Sequence, residues 1–472
     1  MNQKLYESQK GRLQILRIID LFAGLGGIRL GFQQAMDELG LETECVFSSE
    51  IKPYAIKAYN EFYGDEKIYG DITKVDTHRD IPDFDYLLAG FPCQPFSSAG
   101  NRNGFADTRG TMFFEIERIL QDKINSKHPA KGLLLENVEG LITHDNGNTL
   151  NTIITHLEQL GYHVSYRLLD SKYFGLPQSR KRVYIVGSLD EKINLDNFDK
   201  SETVLGDILQ HGLPTVDTDF TKKLFANYKP KEVVGKSIKD KRGGKNNIHS
   251  WDIDLKGKTS QQERGLMNAL LLERRKKHWA DMIGIKWMDG MPLTENQIRT
   301  FYNVPELHQM LEHLTQMGYL VYEYPKQQVK DENGIVKRVP DETKEKGYNI
   351  VAGKLSFEFS KILNPNDIAP TLVAMDAAKL GVVDGDGLRK LTIRECQRLC
   401  GYPDNYSLDM ISESEAFDLL GNTVCVPVVK AISKRIGRSY LENIEGEQKN
   451  KTASTRDIQY MGNNSHQPVS KD

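Results

Sequence analysis

The 472-residue chain is poor in cysteine: it has five, and none forms a CxxC pair. This argues against a disulfide scaffold and against a zinc site. Cys396 and Cys400, four residues apart, read as one helix face rather than a metal pair. No metal is expected, and the setting is a reducing cytoplasm. No apolar run approaches the ~20 residues of a membrane span. Residues 1–11 are polar, without the apolar stretch of a signal region, so no membrane partner is expected. Internal repeats are lacking too. Neither sign of charge dominates: 62 Lys and Arg stand against 65 Asp and Glu, a formal net charge of −3, which by itself points to no polyanionic partner.

The distribution of charge says more. Residues 221–300 hold 18 Lys and Arg against 9 Asp and Glu, so this segment carries +9 and the remainder −12. A basic segment in an acidic chain is either a local footprint for nucleic acid or a solvated Lys-rich surface.

Ile15–Phe22 reads as a first strand, followed by the turn Ala23-Gly24-Leu25-Gly26-Gly27 and a helix spaced by Ile28, Leu30, Phe32, Ala35, Met36 and Leu39. Strand, Gly turn and helix make a nucleotide-binding opening. A second strand over Cys45–Ser48 ends at Glu50, 23 residues after Gly27, near the ~20 expected of an acidic residue on a ribose hydroxyl. A third strand ends at Asp71-Ile72. Helices over Thr111–Lys123 and Asn151–Leu160, with strands at His163–Leu169 and Arg182–Val186, complete a doubly wound α/β sheet. The turn is not the dinucleotide fingerprint, because Arg29 stands where the third Gly of G-x-G-x-x-G belongs. This disfavours a nicotinamide oxidoreductase and leaves other adenosyl ligands open.

Beyond Leu189 the pattern becomes polar, basic and irregular to about Asn364. This region contains Trp251, Trp279 and Trp287, which either fill a small core or include a base wedge. One helix is expected over Gln262–Trp279. Order returns at Ile368, Asn422 reads as the N-cap of a last helix, and the polar tail is expected to be disordered. The predicted divisions are 12–189, 190–367, 368–440 and a tail over 441–472.

Gly90-Phe91-Pro92-Cys93-Gln94-Pro95-Phe96-Ser97 organises the chain. It follows the short apolar run Tyr86–Ala89, so Cys93 lies just past a strand end, on a loop stiffened by two prolines. A second strand ends at Glu136-Asn137-Val138. If the two strands are parallel neighbours, a thiol nucleophile and a carboxyl group share one crevice. Gln178-Ser179-Arg180-Lys181-Arg182 leads into a further strand, and Arg180 and Arg182 share a face if Arg180 opens it.

Phe22–Gly26, Pro92-Cys93-Gln94, Glu136-Asn137-Val138, Gln178-x-Arg180-x-Arg182 and Gly421-Asn422-Thr423-Val424 occur in that order. The set resembles the signature of the C5-cytosine DNA methyltransferases of bacterial restriction-modification type, over about half the chain. The resemblance implies a Rossmann-like S-adenosylmethionine-dependent methyltransferase domain with a second, smaller, irregular target-recognition domain. It implies that Cys93 adds to C6 of a flipped-out cytosine, that Glu136 contacts the N3 edge, and that Arg180 and Arg182 bind base and backbone. Phe22, Gly24, Leu25, Gly26, Gly27, Glu50, Asp71, Ile72, Pro92 and Asn422 match the family's cofactor positions. Double-stranded DNA is the implied partner, with contacts expected at Gln94, Ser97, Arg242, Lys245, Arg274 and Arg275. A monomer is expected, paired in function with an endonuclease acting on the same site without contact. An RNA cytosine methyltransferase is the first rival, and a non-catalytic DNA-binding relative the second. Where some relatives fill the gap left by the flipped base with a Ser, this chain has Ala99.

Overall fold

The computed structural model describes residues 15–64, 67–92, 112–241, 243–244, 246–330, 336–351, 357–374 and 376–463, with side chains to 446. Two units emerge: one runs to Ile208 and includes 368–375 and the chain from Ile393, and the other comprises Leu209–Asp367 and Asp376–Thr392.

The first unit is built on short apolar strands with helices between them: β1 (Leu16–Leu21), α1 (Gly27–Glu38), β2 (Thr43–Ser49), α2 (Pro53–Tyr63), β3 (Ile68–Tyr69), α3 (Thr77–Asp80), β4 (Tyr86–Gly90), α4 (Met112–Asn125), β5 (Gly132–Val138), α5 (Asn148–Gln159), β6 (His163–Asp170) and β7 (Lys181–Ser188). They form one seven-stranded sheet in the order β3-β2-β1-β4-β5-β7-β6. β1, β2, β3, β4 and β5 pair in parallel, and β7 runs antiparallel to both β5 and β6. The central strands β1, β4 and β5 bury both faces, as strands covered by helices on both sides of a sheet do. Ile19, Leu21, Leu87, Leu133 and Leu135 face a core shared with α4 and α5. Leu16, Ile18, Leu88 and Leu134 face the opposite core, shared with α1 and the last helix.

The second unit holds α6 (Asp219–Asn227), α7 (Pro230–Val233), β8 (Ser237–Ile238), β9 (Asn247–Ile248), α8 (Gln261–Glu273), α9 (Lys277–Ile283), α10 (Glu295–Arg299), α11 (Leu307–Gln316), β10 (Leu320–Glu323), β11 (Lys326–Lys330), β12 (Val336–Pro340), β13 (Gly347–Ile350), β14 (Lys361–Ile362), β15 (Leu380–Asp384) and β16 (Gly387–Lys390). Trp251 and Trp279 fill its helical core, with Leu266, Leu270 and Leu311. Trp287 does not: it is 45% exposed and its indole N–H donates to the Arg275 carbonyl. The chain then returns to the first unit through α12 (Ile393–Cys400), α13 (Glu413–Asn422) and α14 (Val426–Asn463).

Four expectations need correction. First, residues 190–208 stay with the first unit. Ile193 and Leu195 are buried in its core, and Arg435 of α14 grips the carbonyls of Asn194, Asp196 and Asn197. Second, residues 376–392 belong to the second unit, because β15 pairs with β14 and with β16. Third, the helix expected over 262–279 breaks. Lys276 is extended between α8 and α9, and the Arg274 carbonyl is taken by the Met291 N–H. Fourth, Asn422 ends α13 rather than capping the next helix, and α14 runs helical to Asn463 where disorder was expected. Cys396 and Cys400 are both buried on α12, as the one-face reading requires.

Candidate active site

The carboxyl ends of β1, β2, β4 and β5 lie side by side, the position that open α/β sheets use for ligands. After β1 the backbone turns through three residues of positive φ: Phe22 at 55°, Gly24 at 54° and Gly26 at 66°. The two glycines differ in what surrounds them. A Cβ on Gly26 would lie 2.5 Å from the Tyr63 ring, whereas one on Gly24 would meet nothing nearer than the Phe22 carbonyl at 4.0 Å. Gly26 is therefore sealed by packing, and Gly24 faces open space.

Glu50 follows β2 and is tied to this turn. Its Oε2 accepts from the Gly24 N–H at 2.8 Å, and its Oε1 accepts from the N–H groups of Ile51 at 2.8 Å and Lys52 at 2.9 Å. These use three of roughly four acceptor directions and leave one on Oε2 for a ligand hydroxyl. Beyond β3, Asp71 caps the 3₁₀ turn Ile72–Lys74. Its Oδ1 accepts from the Thr73 hydroxyl and N–H, bonds that hold the carboxyl below its usual range. Arg118 of α4 braces this turn by donating to the carbonyls of Ile72 and Val75.

The β4–β5 register sets Gly90 opposite Glu136. The neighbouring Asn137 donates from Nδ2 to the Phe91 carbonyl at 3.0 Å, fixing the start of the loop that carries Cys93. Phe91 is buried and Pro92 exposed. Cys93, Gln94 and Ser97 lie outside the described residues, as does Ala99. Glu136 is 8% exposed, and burial raises its carboxyl above the usual range against the opposing pull of Arg182 and Arg180. Nε of Arg182 lies 3.1 Å from Glu136 Oε1. Both facts suit a carboxyl group poised to hold or share a proton.

Arg180 and Arg182 part company. Arg180 precedes β7 rather than opening it, and its buried guanidinium donates to the carbonyls of Leu372 at 2.9 Å, Gly421 at 3.2 Å and Thr423 at 2.6 Å. Gln178 acts alike: its Nε2 donates to the Leu399 carbonyl and its Oε1 accepts from the Leu372 N–H. Of the two arginines paired by sequence, Arg182 touches Glu136, while Arg180 clips the returning chain to the sheet.

Other contacts are missing from the sequence reading. Asp418 Oδ2 accepts from Lys52 Nζ at 2.7 Å and from the Tyr54 hydroxyl at 2.7 Å. Asn422 Nδ2 donates to the Asp418 carbonyl at 2.8 Å and to its Oδ1 at 3.1 Å. The loop after Glu50 is thus bolted to the end of α13, a link across 366 residues that no local pattern signals. Ile51, 68% exposed beside Glu50, offers an apolar surface at the same edge.

Arg274 does not fit a DNA contact. It is 3% exposed, donates to Asn349 Oδ1 at 2.7 Å, and burial lowers its guanidinium to about 10. A buried, bonded cation of this kind serves the core. Arg275 is half-buried and paired with Asp289. Arg242 and Lys245 lie outside the described residues. No His, Cys, Asp and Glu cluster suited to a metal occurs among the described residues, and no single helix there is long and apolar enough to cross a membrane.

The family model for C-5 cytosine-specific DNA methylases matches residues 16–438. Type II methyltransferase M.NlaIV of Neisseria lactamica is 56% identical over 431 residues, covering 90% of this chain and 99% of that protein. Type II methyltransferase M.NgoBV of Neisseria gonorrhoeae is 55% identical over the same shares. Type II methyltransferase M.BanI of Aneurinibacillus aneurinilyticus is 40% identical, covering 92% of this chain and 98% of its own length.

Proposed function

This chain belongs to the C-5 cytosine-specific DNA methylase family, and from that premise we propose how its own residues carry the reaction. The substrate is a cytosine flipped out of a specific duplex sequence, since C5 and C6 cannot be reached within the stack. Cys93 attacks C6 as thiolate. Glu136 donates its proton at N3, so the electron pair displaced by the sulfur is not left as a bare charge on the ring. Arg182 holds that carboxyl in place, and Asn137 sets the origin of the thiol loop. C5 thereby becomes nucleophilic. Once C5 carries the methyl group, its proton passes to solvent, the sulfur is expelled as thiolate, and N3 returns its proton to Glu136 to give 5-methylcytosine.

The cofactor in this reading is S-adenosylmethionine, which supplies an electrophilic methyl group when bound. The residues fit it: open space over Gly24, one spare acceptor direction on Glu50 for a ribose hydroxyl, and Asp71 at the 3₁₀ turn beyond β3. Phe22, Leu25, Ile72, Pro92 and Asn422 would line the remainder, with Gly26 and Gly27 shaping the turn beneath.

The second unit is assigned target recognition and the first methyl transfer. The relatives' designation as Type II methyltransferases supports a modification enzyme; that it works as a monomer in the bacterial cytoplasm, beside an endonuclease of the same specificity, completes the proposal.

The observation that carries this reading is the buried Glu136, held by Arg182 opposite Gly90, three residues before Cys93. The test is covalent trapping. With S-adenosylmethionine and duplex DNA containing 5-fluorocytosine, the wild type is expected to form a denaturation-resistant adduct, because fluorine cannot leave as the proton does. Cys93→Ser is expected to form none, and an adduct persisting in that variant defeats the assignment.

A further inference from the structure

β11 and β12 form a two-stranded antiparallel ribbon that no other strand extends among the described residues. Its register sets Lys326 opposite Pro340, Gln328 opposite Arg338, and Lys330 opposite Val336. Directly opposed residues share a face, so Gln328, Lys330 and Arg338 stand together. Neither strand contains an acidic residue, and Gln327 through Lys330 and Val336 through Arg338 are all exposed. The root of the ribbon is fixed. β10 and β13 pair next to it, with Leu320 and Ile350 buried in the core of the second unit, and the Asp341 N–H donates to the Pro325 carbonyl at 2.7 Å.

A solvated two-stranded ribbon has marginal stability in water, and its unpaired edges invite a partner. The major groove of B-DNA admits a two-stranded ribbon. Arg matches the O6 and N7 acceptors of guanine, and Gln the N6 and N7 pair of adenine. Gln328 and Arg338, directly opposed on one face, stand close enough to reach adjacent base pairs, and the ribbon's cationic face complements the phosphates.

We propose that this ribbon enters the major groove of the substrate duplex, where Arg338 and Gln328 read base edges and Lys330 meets a phosphate. The proposal rests on the DNA methylation reading above. It moves base reading away from Arg274, which the core claims.

The test is methylation of a randomised duplex library by the full-length enzyme, read by bisulfite sequencing, with binding measured against salt. Arg338→Ala is expected to relax preference at one base pair, with a roughly 5- to 150-fold loss of discrimination there. Arg338→Lys keeps the charge but loses the bidentate fork. It is expected to lose the same discrimination while preserving the dependence of affinity on salt. Lys330→Gln is expected to weaken binding to all sequences and to reduce the slope of log affinity against log salt by about one. These residues are exposed, so thermal midpoints should match the wild type. If both Arg338 variants keep the wild-type sequence profile, the ribbon proposal is overturned. A wild type that methylates no cytosine defeats the functional reading instead.

Discussion

A buried carboxyl beside a guanidinium feels two opposed forces, and at Glu136 burial prevails over Arg182. The folded chain therefore holds a proton that the unfolded chain has already released, over an interval that begins at the ordinary glutamate value of 4.5. This group's contribution to stability is complete below that value and is lost as pH rises through the raised one. Glu136→Gln removes the titration. Its thermal midpoint relative to wild type is expected to climb with pH across that interval and then level off, and a parallel pair of curves would show that Glu136 is not raised. The same variant cannot donate an acidic proton, so single-turnover methyl transfer is expected to slow by at least about 100-fold, with affinity for S-adenosylmethionine little changed. Arg180 and Arg182 separate by the same logic. Arg180→Lys loses at least one of three buried bonds to carbonyls, at a cost of about 2 kcal/mol in urea unfolding. Arg182→Lys is expected to lower the methyl-transfer rate first.

Elements distant in sequence build the cofactor side. The loop after β2 and the end of α13 meet through Asp418, which takes hydrogen bonds from Lys52, Tyr54 and Asn422. Glu50 is immobilised by backbone N–H groups of the same loop. Asp418 is a positioning residue: it holds two elements at a fixed spacing without touching the reacting atoms. Asp418→Lys is expected to raise KM for S-adenosylmethionine while kcat changes little. The reciprocal pair Lys52→Asp with Asp418→Lys should restore KM by remaking the ion pair in reverse. A double variant no better than the single one would leave Asp418 a purely structural residue.

Across the whole molecule, the two units fix where the chain can be exchanged. Residues 190–208 are bonded to α14, and the β15–β16 hairpin completes the five-stranded sheet that contains β14. A chimera that replaces 209–367 together with 376–392 from a relative of different specificity is expected to be soluble and to methylate C5 at the relative's site. Replacing 190–367 alone strips packing from α14 and sets a foreign β14 beside the native β15, so it is expected to give a lower thermal midpoint and less soluble enzyme. Equal behaviour of the two chimeras would refute these boundaries, and an active chimera that kept its original site would place recognition in the first unit.

By itself the sequence determined the α/β class, the family and the strand-end placing of Glu50, Asp71 and Glu136. These rest on short-range features, namely apolar runs, Gly turns and motif spacing, which the chain writes within a few residues. The parallel pairing of β4 with β5 is only a condition in the sequence, and the register meets it. Only the tertiary structure decided what each polar side chain faces. Arg180 and Arg182 are two residues apart, yet one is spent on the carbonyls of residues 372, 421 and 423 and the other on Glu136. Arg274 carries the same charge as its neighbours but is buried against Asn349, because a break between α8 and α9 turns it inward. Charge and spacing are local properties, whereas burial and the choice of partner come from segments tens to hundreds of residues away, and these decide whether a cation serves the core, the cofactor or the DNA.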